Sequence, residues 1–143
     1  MAGTPHLPDP VRGERREIGG KAGPIAFYAA GDGAPILLIH SINAAASAYE
    51  IGPIFDDLAR DRRVYALDLP GFGKSDRSDR PYNMRLYVDA IHDALHTIGA
   101  ERGGEPVDAL ALSLSAEFLA RAAREAPERF RTLTLVTPTG FER

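Results

Sequence analysis

Val107-Asp108-Ala109-Leu110-Ala111-Leu112-Ser113-Leu114-Ser115-Ala116-Glu117-Phe118 decides the fold. An apolar run of strand length ends in a serine, and a helical pattern starts at once. Ser113 has a small residue two positions away on each side, Ala111 and Ser115. A serine on so sharp a strand-to-helix turn is forced into a strained backbone conformation with its hydroxyl projecting. The turn brings its flanks together, so bulky side chains there would clash. Small-x-Ser-x-small therefore reads as a nucleophile elbow, with Ala and Ser where glycines are usual. Ser113 as a helix N-cap is the alternative reading.

Outward from this turn the pattern alternates. Residues 116–126 carry a helix stopped before Pro127, and 131–137 (RTLTLVT) a last strand. Upstream, 102–106 connect to a helix marked on one face by Met84, Tyr87, Val88, Ile91, Leu95 and Ile98. Residues 63–69 (RVYALDL) form a strand that ends in Pro70-Gly71-Phe72-Gly73, and 75–82 form a polar loop. Residues 35–40 (PILLIH) are a continuous apolar run, the mark of a strand buried on both faces. Ser47 and Glu50 have capping-box spacing. Ile51, Ile54, Phe55 and Leu58 then predict an amphipathic helix to about residue 60. Residues 14–19 and 24–30 read as a hairpin around Gly20-Lys21-Ala22-Gly23. Residues 1–13, with three prolines, read as a flexible arm. The order predicts an α/β fold over 14–143: a mostly parallel sheet of about six strands with helices on both faces.

The chain has 143 residues, enough for one domain, with a net charge of -3 and no basic tract. Nothing in that balance suggests a nucleic-acid partner. It contains no cysteine, which excludes disulfides and a thiol nucleophile. No apolar run is long enough to span a bilayer, and no signal-peptide core is visible. A cytoplasmic protein without a membrane partner is the expectation.

Three loops follow the C-terminal ends of three strands, where open α/β sheets bind ligands. They are His40-Ser41-Ile42-Asn43, Asp68-Leu69-Pro70-Gly71-Phe72-Gly73-Lys74-Ser75, and the Ser113 turn. In this order and spacing they resemble the α/β-hydrolase superfamily across residues 14–140. That family carries His-Gly-x, Asp-x-Pro-Gly-x-Gly-x-Ser and Gly-x-Ser-x-Gly there. The second motif is complete here. The first departs at Ser41, the third at Ala111 and Ser115. The resemblance implies Ser113 as nucleophile of a serine esterase or acyl hydrolase acting on a small ester-like substrate without a cofactor. It implies the backbone N–H groups of Leu114 and Ile42 as oxyanion donors, and His40 as support for the oxyanion loop. His40 as a base is the rival reading. A serine at the elbow argues against the haloalkane-dehalogenase branch, which uses Asp. Asp68 is expected to anchor the Pro-Gly turn through backbone contacts.

His92-Asp93-Ala94-Leu95-His96 imitates the His-Glu-x-x-His zinc helix. Asp93 is one methylene short of the required Glu, no third ligand is evident, and a solvated helix face is the expected role. The resemblance also exposes a gap. After Ser113 there is no histidine, and the acids are Glu117, Glu125, Glu128 and Glu142. The family orders its triad Ser, acid, His. The expectation is the N-terminal part of a hydrolase, truncated before its acid and base. The last strand then becomes an open edge, available to a complementing chain or a second copy. The alternative is a catalytically inactive hydrolase-fold domain that binds a small ligand or a partner chain.

Overall fold

The computed structural model describes residues 8–138. Its strands are β1 (Glu14–Ile18), β2 (Ile25–Ala30), β3 (Pro35–Ile39), β4 (Arg63–Leu67), β5 (Val107–Leu112) and β6 (Phe130–Val136). Helix α1 (Gly52–Leu58) lies between β3 and β4, α2 (Met84–Arg102) between β4 and β5, and α3 (Ser115–Glu125) between β5 and β6. The six strands form one sheet in the order β1-β2-β4-β3-β5-β6. β2 runs antiparallel to β1 and β4, and the remaining pairs are parallel. β3 therefore sits inside the sheet, as its unbroken apolar run requires, and all five of its residues are buried.

Alternation along each strand divides the core in two. Leu37, Ile39, Tyr65, Leu67, Ala109 and Ala111 point to the face covered by α2 and α3. Ile36, Leu38, Val64, Ala66 and Tyr28 point to the face covered by Ile51 and Phe55 of the α1 region. Helices thus cover both faces. Helix α2 starts where the Asn83 side chain accepts from the Leu86 N–H, and ends at Gly103 with φ +66, a left-handed cap that glycine adopts without a Cβ penalty. β6 is the outer strand among the described residues, and most of its side chains are exposed. No helix among the described residues is long and apolar enough to cross a membrane.

Two expectations need correction. Residues 8–13 do not stand off as an arm: Val11 is buried against the α1 face, and Asp9 pairs with Lys74 at 2.8 Å. The apolar valine gains more by covering Phe55 and its neighbours than by staying in water. The rest of the arm, residues 1–7, lies outside the described residues. The capping box also forms only by half. Ser47 Oγ accepts from the Tyr49 N–H, but the Glu50 carboxylate turns to Ser41 instead of back to Ser47. The segment Ala48–Ile51 is correspondingly a tight 3-10 turn leading into α1.

Candidate active site

The register brings the three loops together. Ile39 pairs with Leu67 on one side and with Ala111 on the other, so β4, β3 and β5 end in one row. His40, Asp68 and Leu112 follow at once, and the Ser113 turn opens beside the His40 loop. Ser113 has φ +54, the left-handed region that a side chain rarely adopts. Its N–H donates to Val136 O at 2.8 Å, which ties the strained turn to β6. Its hydroxyl has no hydrogen-bond partner among the described residues. A helix N-cap role is absent: no side-chain bond caps α3, whose N-cap position is Leu114.

Ser115 proves to be more than a small flank. It is fully buried, and its hydroxyl donates to His40 O at 2.5 Å. The residue that makes room for the elbow also fastens it to the next loop. Nothing local in the sequence marks this bond, because its partner is far along the chain. Neither the Leu114 N–H nor the Ile42 N–H has an acceptor among the described residues.

His40 is fully buried, and both ring nitrogens are engaged. Nε2 accepts the Leu69 N–H at 2.9 Å, so Nδ1 carries the proton and donates to Ser41 O at 2.6 Å. The ring edge also meets Phe72, with centroids 5.5 Å apart. A ring held this way supports the loop and is not aimed at Ser113 as a base. Burial pushes its pKa below the ordinary 6.5. Between the folded and unfolded values the unfolded chain binds more protons, so stability falls as pH drops below about 6.5. The urea midpoint is expected to decline between pH 7 and pH 5.5. His40→Gln, whose amide oxygen can still accept from Leu69, is expected to flatten that decline; an unchanged slope would refute the assignment.

Asp68 holds the second loop with its side chain rather than through backbone contacts alone. Its buried carboxylate accepts from Tyr28 Oη at 2.6 Å, the Ala48 N–H at 2.8 Å and the Lys74 N–H at 3.0 Å. Its carbonyl accepts from Ser75 Oγ, which in turn accepts the Ala26 N–H at 2.9 Å. Gly73 has φ +52, and a Cβ there would lie 2.2 Å from the Asp68 carboxyl carbon. The Gly and Ser of this motif therefore serve one packed turn.

The zinc-like helix is occupied otherwise. Asp93 accepts from the Lys21 and Ala22 N–H groups at 3.2 and 2.9 Å, pinning the β1–β2 turn, so it is a structural anchor and not just a solvated side chain. His92 Nε2 lies 2.9 Å from Glu125, which Arg85 also grips at 2.7 and 2.8 Å. Arg85, and after it His92, holds the Glu125 carboxyl down to about 2. Among the described residues no cluster of three or more metal-ligating side chains occurs.

Comparisons with known proteins agree with this geometry. The alpha/beta hydrolase fold family matches residues 34–142. The 2-hydroxymuconate semialdehyde hydrolase of Pseudomonas sp. (strain CF600) is 31% identical over 116 residues, 80% of this chain and 40% of that protein. The 1-acylglycerol-3-phosphate O-acyltransferase ABHD5 of Rattus norvegicus is 32% identical over 120 residues, 75% of this chain and 30% of that protein. Among solved structures, a serine hydrolase involved in carbazole degradation superposes with a TM-score of 0.77 at 25% identity, covering 90% of this chain and 49% of that one. The meta-cleavage product hydrolase from Pseudomonas fluorescens IP01 does so with a TM-score of 0.77 at 24% identity, covering 90% and 46%. The chain thus spans 30–40% of the length of these curated relatives. The sheet order, the row of three loops and the family match over residues 34–142 lead to one conclusion: the chain belongs to the alpha/beta hydrolase fold family.

Proposed function

We propose that Ser113 is the nucleophile of a serine acyl hydrolase acting on a small ester-like substrate. The observation that carries this reading is the φ of +54 at Ser113, on the turn between β5 and α3, with its hydroxyl unengaged. Attack by that oxygen on a substrate carbonyl places negative charge on the carbonyl oxygen. The Leu114 N–H, at the start of α3, and the Ile42 N–H of the neighbouring loop are the donors that would receive it. One such donor is worth about 2.7–4 kcal/mol.

A serine hydroxyl needs a base at neutral pH. His40 is engaged at both nitrogens, and no histidine follows Ser113 in the sequence. We therefore assign the base and its acid partner to residues outside these 143, in a longer polypeptide or a complementing chain. The test is labelling by a fluorophosphonate probe and turnover of a short-chain p-nitrophenyl ester, with a complementing segment supplied. Ser113→Ala is expected to abolish labelling and lower turnover by about 10⁴-fold or more. Equal labelling of the variant and the parent would overturn the assignment. The same two observations on histidine favour a second reading, a non-catalytic hydrolase-fold domain that binds a small ligand or partner chain. Absence of labelling in the folded, complemented protein would support it.

A further inference from the structure

We propose that Glu50 is a positioning residue that latches the oxyanion loop through Ser41. This rests on the reading of the Ile42 N–H as an oxyanion donor. Ser41 stands where the family has glycine, and a serine brings a hydroxyl into a site where the residue is 8% exposed. A buried hydroxyl needs a partner. Glu50 supplies it: Ser41 Oγ lies 2.6 and 2.8 Å from the two carboxylate oxygens, and the Ser41 N–H donates to the same carboxylate at 2.9 Å. Asn43 Nδ2 donates to Ser41 Oγ at 2.9 Å, and Asn43 Oδ1 accepts from the Ala45 N–H at 3.0 Å. Ile42 is therefore flanked by two residues on one charge-assisted network.

The latch is itself anchored. Glu50 sits in the 3-10 turn whose first N–H, that of Ala48, donates to the buried Asp68 carboxylate. Asp68 thus fixes Ala48, the short turn carries Glu50, and Glu50 holds Ser41 beside Ile42. The loop is also held at His40 by the ring bonds and by the Ser115 hydroxyl. A donor to a developing oxyanion acts only if it is already in place, because a displacement of about 1 Å can cost about 10²-fold in rate. Holding Ser41 at both its N–H and its hydroxyl restricts the peptide that carries the Ile42 N–H. The half-formed capping box has the same explanation, since the carboxylate is committed to the loop.

Amide hydrogen exchange on the chain tests the latch without requiring activity. Glu50→Ala is expected to speed exchange at the Ser41 amide, which loses its acceptor, by about tenfold or more, with α2 amides unchanged. Glu50→Gln keeps an oxygen that can accept and is expected to recover most of the protection. In the complemented protein, Glu50→Ala should lower kcat by about 10–100-fold with KM little changed, and Glu50→Gln should restore most of it. Ser41→Ala retains the N–H bond and drops the hydroxyl, so a smaller rise in exchange at the residue-41 amide is expected; this variant decides the matter if Glu50→Ala does not fold. Unchanged loop exchange in Glu50→Ala, or in Ser41→Ala where that variant must serve, would overturn the latch. Loop exchange that rises as expected while the parent protein fails to label at Ser113 would uphold the latch and sink the nucleophile assignment alone.

Discussion

Asp68→Ala is expected to cost more stability than any other single change at the loop edge. Removing the carboxylate leaves Tyr28 Oη and the Ala48 N–H buried without an acceptor, and also releases the Lys74 N–H. Each donor stranded in the interior costs about 1–3 kcal/mol, so the loss should reach about 2–6 kcal/mol. Asp68→Asn should help little. One carboxylate oxygen serves Ala48 and the other serves both Tyr28 and Lys74. An amide has one acceptor end, so either orientation sets its NH2 against a backbone N–H. Tyr28→Phe is the control: it removes one donor, leaves the two backbone bonds, and should cost about 1 kcal/mol. Gly73→Ala should approach Asp68→Ala in effect, because its Cβ enters the same carboxyl at a φ of +52. Urea midpoints of the four variants give the ranking. Asp68→Ala within about 1 kcal/mol of the parent would show that the carboxylate does not hold the loop.

The second large effect lies at the opposite end of the sheet. Asp108 is 6% exposed near the start of β5. Its carboxylate accepts from Arg62 at 2.5 Å, from Arg131 Nε at 2.9 Å and from Thr132 Oγ1 at 2.6 Å. Arg131 and Thr132 belong to β6, and Asp108 pairs with Thr132 in the β5–β6 register. The carboxylate thus pins the outer strand at the point where the register shifts between Val107 and Asp108. Arg131 is largely exposed, so its share is screened, and Asp108→Ala should cost about 2–3 kcal/mol, chiefly through Thr132 and Arg62. The local signature should exceed the global one: β6 amides are expected to lose hydrogen-exchange protection while β3 and β4 keep theirs.

The same group has a pH signature. The Arg131 guanidinium beside Asp108, with Thr132 and Arg62, holds the carboxyl well below its ordinary 3.8. A folded-state value below the unfolded one gives stability that is complete above the unfolded value. It is lost as pH falls through 3.8 towards the folded value. The parent should therefore lose stability below pH 4 more steeply than Asp108→Asn. Parallel acid profiles for the two would exclude this carboxylate as a contributor.

These cases show which parts of the molecule were readable in advance. Periodicity placed the six strands and three helices of the described residues to within a few positions, and β5 spans Val107–Leu112, the apolar run that ends at Ser113. Local patterns succeed there because burial of one face repeats at the period of the element itself. The Ser113 elbow was visible for the same reason: a strand end, a serine with small flanks and a helix start are all local. Asp68 was legible as an anchor, but its bonds to Tyr28 and Ala48 were not. Glu50 shows the limit most clearly. Its spacing from Ser47 predicts a helix cap, and the folded chain offers it a better partner in Ser41.

Composition, period and turn residues by themselves determined the α/β class and the order of elements, and the resemblance of the three loops singled out Ser113 as the candidate nucleophile. Only the tertiary structure decided that Ile39, Leu67 and Ala111 end in one row. It alone decided that Ser115 fastens the elbow to His40, that Glu50 bonds Ser41 in the loop after β3, and that Asp108 pins β6. Each of these depends on a polar side chain meeting a group on another segment. Such a meeting follows from strand order and register, and leaves no period in the sequence around either partner.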